Sequence, residues 1–173
     1  MQITAQILGI IALVVAILSM LFKTKTKILL FCNLYNILNL ISLLLLGQYL
    51  GCILVGIAII KGVVFYFFAR KNLKPSIYVL IIFEIIVIAV SIILWKSWYE
   101  IFMVINLIIN MYATWQDNVI VLKIGVIICS ILLILYDSFA GAYTYIIDDT
   151  FFCLSALYSI LIYRKNKNTQ QVE

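Results

Sequence analysis

Residues 143–163 read YTYIIDDTFFCLSALYSILIY, an apolar run long enough to cross a bilayer, with two adjacent carboxylates, Asp148 and Asp149, inside it. Whether this run is a membrane span decides the fold, because it decides the number of crossings. An ionised Asp in hydrocarbon costs roughly 3 kcal/mol on the insertion scale. Three readings meet that cost: a substrate or ion path, a buried ion pair, or a helix that starts after the aspartates and is capped by them. The cap reading begins the helix at Thr150. Residues 150–163 then reach about 21 Å at about 1.5 Å per residue, against a hydrocarbon core of about 30 Å. It therefore needs GAYTYII (141–147) to enter as irregular buried backbone. A full span containing both aspartates is the simpler expectation.

The rest of the chain has the same character. Of 173 residues, 66% are apolar and 11% charged, where soluble proteins carry about 25% charged residues. A soluble fold of this length could not hide so much hydrocarbon, so the expected solvent is a bilayer. The apolar runs are continuous rather than alternating at period two, which disfavours a strand barrel. Each crossing needs about 20 mainly apolar residues. Seven spans are expected: Ala5–Phe22, Ile28–Leu46, Leu50–Ala69, Ser76–Trp95, Trp98–Trp115, Val119–Tyr136 and Ala142–Tyr163.

Charge placement supports that count. Basic residues collect in KTKTK (Lys23, Lys25, Lys27), in RKNLK (Arg70, Lys71, Lys74) and in RKNK (Arg164, Lys165, Lys167). With seven spans the three clusters fall on one side, and Lys123 joins them. The other side keeps Lys96. The positive-inside rule makes the common side cytoplasmic, with the N-terminus outside and the C-terminus inside. Six spans would split the clusters.

The first helix lacks a basic n-region and a small-residue cleavage site, so it is expected to be retained. Cys32, Cys52, Cys129 and Cys153 lie within spans and form no CxxC pair, so packing roles are expected of them. Histidine is absent, which removes the usual metal ligand and the commonest general base.

An internal repeat organises the chain. A shift of 94 positions carries Gly47 in GQYL onto Gly141 in GAYT, and Ala69-Arg70-Lys71 onto Tyr163-Arg164-Lys165. Residue identity is thin, but span lengths, the Gly-x-Tyr turn and the closing basic pair coincide. The expected fold is all-α: two parallel three-helix repeats joined by one linker helix. The expected divisions are a first bundle over 1–69, a loop and linker helix over 70–97, a second bundle over 98–165 and a tail over 166–173. Parallel repeats of this kind occur in small transporters.

Four stretches carry a resemblance: LLGQYLG (45–51), IIKG (59–62) with Lys61, YDSFAGAY (136–143) and IIDDTF (146–151). Through them the chain resembles the YgjV-type bacterial inner-membrane proteins, grouped with the SWEET, PQ-loop and PnuC-like small transporters. The resemblance covers most of the chain. It implies an inner-membrane location and passage of a small solute. One departure stands out: the single proline, Pro75, lies in a loop, so no helix carries a proline hinge.

Polar residues inside the spans mark candidate sites. Asn106, Asn110 and Thr114 follow one another at four-residue steps and line one face. Asn33, Asn36 and Asn39 form a drifting ribbon. Gly9, Ala12, Ala16 and Ser19 make a small-residue stripe. Such stripes let membrane helices approach, and Asn side chains bond across helix interfaces, so a packing role competes with a solute path. Lys61 and Glu84 lie inside spans. Lys61 must either find a carboxylate, among Glu84, Asp148 and Asp149, or shed its charge. Glu100, Asp117, Lys123 and Asp137 lie near span ends and are expected at the interface. On a helical wheel Asp148 shares a face with Ser155 and Ser159, whereas Asp149 shares one with Cys153, Ala156 and Ile160. Asp148 is thus expected to face a polar cavity, with Asp149 as a helper near the interface.

The expected function is facilitated or ion-coupled transport of a small polar solute. The candidate binding or pore residues are Asp148, Ser155, Asn106, Asn110, Asn36, Lys61 and Glu84. A non-transporting scaffold or regulatory partner is the alternative. Catalysis is not expected, since no nucleophile motif, phosphate-cradling glycine loop or metal-ligand cluster occurs. No cofactor and no nucleic-acid partner are expected; the bilayer, a small solute and a second copy of the chain are the expected partners.

Overall fold

The computed structural model describes residues 2–45, 47, 49–93, 95–141 and 143–169. Among them the chain forms seven α-helices and no strand: α1 (Gln2–Leu21), α2 (Lys25–Leu45), α3 (Tyr49–Arg70), α4 (Ile77–Ile93), α5 (Glu100–Trp115), α6 (Val119–Ala140) and α7 (Tyr143–Thr169). The helices lie close to the expected spans. Leu46, Gln48 and Ala142 of the two glycine turns, the tail after Thr169, and the side chains of Arg164, Lys165 and Lys167 lie outside the described residues.

Four helical segments are long and apolar enough to cross a membrane: Lys25–Leu45, Cys52–Arg70, Val119–Ala140 and Tyr145–Tyr163. Three further apolar segments are shorter, Ile7–Leu21, Ile77–Ile93 and Glu100–Trp115. The 17 residues of α4 reach about 26 Å. That is a few ångströms less than a typical hydrocarbon core of about 30 Å. Every helix also turns large apolar side chains outward, among them Ile10, Leu44, Ile60, Ile82, Ile108, Ile131 and Leu161. With every helix turning apolar side chains outward, the surface suits lipid.

Local signals explain where the helices stop. Asn118 caps α6, its side-chain oxygen accepting from the Ile120 N–H at 2.8 Å. Gly141 ends α6 in the left-handed region (φ 72°), its N–H donating to the Asp137 carbonyl. Gly47 is likewise left-handed (φ 71°) after α2, donating to the Leu44 carbonyl. A side chain at either glycine would strain the turn. α3 closes through Asn72, left-handed at φ 52°, with the Leu73 N–H donating to the Phe68 carbonyl at 3.0 Å. That is the six-to-one bond of a Schellman ending.

The chain divides into two compact units, residues 1–79 and 80–173. In the first, α2 packs against α1 and α3; in the second, α6 packs against α5 and α7. The small-residue stripe of α1 serves packing: Ala12, Ala16 and Ser19 are buried, as are Met20, Ile28 and Phe65 of the same unit. Ser19 bonds its own helix at the Ala16 carbonyl and accepts weakly from the Cys32 thiol of α2. The second core gathers Met111, Ala113, Leu122, Val126, Cys129, Ala156 and Ile160. One close approach marks each unit. Gly62 of α3 lies under the Asn33 carboxamide of α2, and Gly125 of α6 lies against the Ala113 methyl of α5.

Candidate functional site: a polar seam between α6 and α7

Along α6, Lys123, Ser130 and Asp137 recur every seventh residue. A seven-residue step drifts only about 20° on a straight helix, so the three share one face. All three are buried, at 3%, 1% and 6% exposure. α7 contributes buried Ser155, Ala156, Ser159 and Ile160. At one end of the seam the Lys123 ammonium donates to the Ser159 hydroxyl at 2.6 Å, a bond that offsets part of its desolvation. At the other end the carboxyls of Asp137 and Asp149 lie within hydrogen-bonding reach. Two carboxylates are acceptors only, so a bond between them requires a proton on one. Two heptads of α6, about 21 Å, separate the lysine from Asp137.

The aspartate end is ringed by tyrosines and acids. Asp148 acts electrostatically on Asp149, and both Asp137 and Asp148 act on Tyr145. Tyr136 stacks obliquely on Tyr99, the residue before α5, ring centres 5.8 Å apart. Glu100, whose carboxylate accepts from the Lys96 backbone N–H at 2.9 Å, lies within electrostatic range of Tyr136. Trp98, Phe102 and Phe139 form an aromatic cluster at the same end.

α7 begins at Tyr143, so both aspartates lie in its second turn and do not cap it, in line with the expected full-length helix. Two other placements differ from expectation. The aspartate that meets another helix is Asp149, through Asp137, rather than Asp148 along its serine stripe. Lys123 and Asp137 are buried rather than interfacial. The seven-residue spacing on α6 was the available signal. Proximity to the span ends obscured it.

The remaining candidates are spread out. Asp148 is half-buried on α7. The Ser155 hydroxyl donates to the Phe152 carbonyl of its own helix at 2.7 Å. Asn106 is buried on α5, where its backbone carbonyl accepts from the Cys129 thiol at 3.4 Å; its side-chain oxygen has no hydrogen-bond partner. The Asn110 carbonyl accepts from Thr114 at 2.7 Å, so that face is partly absorbed in local bonds. Glu84 is half-buried on α4 with one carboxylate oxygen enclosed. Asn36 and Lys61 belong to the first unit and are half-buried, Lys61 within electrostatic range of Cys32. Among the described residues no three His, Cys, Asp or Glu side chains converge as metal ligands, and the four cysteines form no disulfide.

Residues 3–168 match the family model Imp-YgjV, described as bacterial inner membrane protein. No curated protein and no solved structure matches the chain.

Proposed function

From membership of the Imp-YgjV family of bacterial inner membrane proteins, to which this chain belongs, we propose that it is a SWEET- or PnuC-like facilitator or ion-coupled transporter of a small polar solute. The single observation that carries this reading is the seam of buried Lys123, Ser130 and Asp137 against Ser159 and Asp149. Ionisable groups at membrane depth are expensive, and they are characteristic of solute and proton paths. No catalytic step and no cofactor enter this reading.

A two-repeat architecture supports it. Under the 94-residue shift the starts of α2 and α3, Lys25 and Tyr49, fall on Val119 and Tyr143, the starts of α6 and α7. The end of α1 at Leu21 falls on Trp115, and left-handed Gly47 falls on left-handed Gly141. We take residues 1–69 and 98–165 as the repeats and α4 as the linker, which makes seven crossings. Lys123, Ser130 and Asp137 then correspond to Leu29, Asn36 and Leu43, and Ser159 to Phe65. Leu29, Leu43 and Phe65 are buried as well. Three of these four positions are apolar in the first repeat, Asn36 being the polar one, whereas all four are charged or polar in the second, so the ionisable groups of this seam belong to the second repeat.

Topology is the first test. A C-terminal reporter is expected to be active in the cytoplasm and a tag before Met1 to be accessible from outside. Both ends on one side would overturn seven crossings and the repeat together.

Transport is the second. Purified protein in liposomes is expected to take up one class among sugars, nucleosides, vitamins and amino acids in a saturable way. Asp148→Asn keeps size and hydrogen bonding but removes a half-buried charge. It is expected to lower that uptake at least about tenfold, a loss of about 1.4 kcal/mol, with thermal stability unchanged. Folded protein that moves no class would favour the scaffold reading.

A further inference from the structure

We propose that Asp137 and Asp149 share one proton as a latch between α6 and α7, and that losing this proton loosens α7 on α6 about the Gly141 turn. The geometry has three parts. Asp137 lies in the last turn of α6, buried, with its backbone carbonyl held by the Gly141 N–H. Asp149 lies in the second turn of α7 and reaches the Asp137 carboxyl. The surrounding groups are neutral or acidic. They are Tyr136 on α6 and Tyr145 and Asp148 on α7, with Tyr99 before α5 and Glu100 at its start facing Tyr136. The lysine of the seam stands two heptads away, bonded to Ser159.

With one proton present, the contact is an O–H···O⁻ bond, among the strongest hydrogen bonds a protein makes. On release, the O–H bond of the protonated carboxyl breaks and the proton passes to water. Two adjacent carboxylates then repel, with Asp148 adding to the repulsion on Asp149. The sign follows directly. The latch is closed at low pH and opens as pH rises through the titration of the pair. A role in gating solute passage rests on the transport reading. The proton and the contact do not.

The test uses full-length protein in lipid nanodiscs and needs no solute. Hydrogen exchange of residues 134–152 is followed between about pH 5 and about pH 9, corrected for intrinsic exchange, a range that brackets an ordinary carboxyl and a strongly perturbed one. Wild-type exchange in the second turn of α7 is expected to rise at least about tenfold with pH, the loss expected for one charge-assisted hydrogen bond. In Asp149→Asn the amide pairs with either form of Asp137, its N–H donating to the carboxylate or its oxygen accepting from the acid, so protection is expected to be pH-independent. Asp137→Asn offers the reciprocal comparison if that variant does not fold. Infrared difference spectra of the wild type, which need no variant, are expected to show the carbonyl stretch of a protonated carboxylic acid that disappears as the latch opens. Exchange that ignores pH in the wild type, an Asn variant that tracks the wild type, or absence of the acid band would each overturn the latch. So would a response that follows sodium at constant pH, which would make the occupant a metal cation. A working latch in a protein that moves no solute would sink the transport reading alone. Uptake with a pH-blind contact would sink the latch alone.

Discussion

Gly125→Ala is expected to lower the stability of the second unit by about 3 kcal/mol, toward the upper end of ordinary overpacking effects. A Cβ built at Gly125 would collide with the Ala113 methyl of α5, and the Ala113 Cα lies only 3.7 Å away. A methyl on a helix cannot rotate out of the way, so relief requires α5 and α6 to move apart. Ala113 is 4% exposed, and its neighbour Thr114 is buried too, so the separation would open a void in the core. Ala113→Gly should restore most of the loss by recreating the space from the other side. The measurement is thermal or denaturant unfolding of purified protein in one detergent. The controls are Gly9→Ala and Gly56→Ala, where a Cβ meets nothing within 4 Å. Both should be neutral or slightly stabilising, since Ala is the better helix former by about 1 kcal/mol. A Gly125→Ala protein as stable as these controls would show that α5 and α6 do not approach as described.

The second large effect is expected at Gly62. A Cβ there would meet the Asn33 side-chain oxygen and lie 2.8 Å from its Cγ and 3.0 Å from its Nδ2. Asn33 is 7% exposed, and its side-chain oxygen has no conventional hydrogen bond. With only a hydrogen where the methyl would be, Gly62 can offer that oxygen a Cα–H···O contact, the weak bond that recurs at close helix crossings. The polar atom is thus held in close packing between α2 and α3. Gly62→Ala removes the contact and forces the carboxamide to swing. A side-chain end moves more readily than a backbone, so the expected loss is about 2 kcal/mol, smaller than at Gly125. Asn33→Ala should relieve Gly62→Ala, and the two changes should be strongly non-additive in a double-mutant cycle. Additive losses would mean that the two residues do not meet. Lys61, next along the chain, makes this a useful separation: the damage at Gly62 should appear in stability, whatever happens to transport.

The two glycine contacts and the α6–α7 seam divide the polar residues of this chain into two kinds. Asn33, Ser19, Thr114 and Ser155 spend their hydrogen-bonding capacity on neighbouring backbone or on close packing. Lys123, Asp137 and Asp149 join one helix to the next through ionisable groups.

The amino-acid sequence alone determined the solvent, the all-helical class and the helix positions. Those follow from quantities local to the chain: unbroken apolar length, turn glycines and the proline confined to a loop. Gly47 and Gly141 announced their turns because only a residue without a side chain adopts that backbone freely. The start of α7 before its aspartates was also legible, since a helix beginning at Thr150 would have been too short. What the sequence left open was which side chains meet. A helical wheel placed Asp148 on the serine face and Asp149 on an apolar one, but it holds no information about what the neighbouring helix presents there. The partner of Asp149 is Asp137 on α6, and that pairing depends on how the α6–α7 hairpin folds at Gly141. Lys123 looked interfacial because it lies one turn inside its helix; packing against α7 buried it and turned it onto Ser159. Periodicity along one helix is a property of that helix, whereas burial and pairing are properties of two, and only the tertiary structure supplies the second.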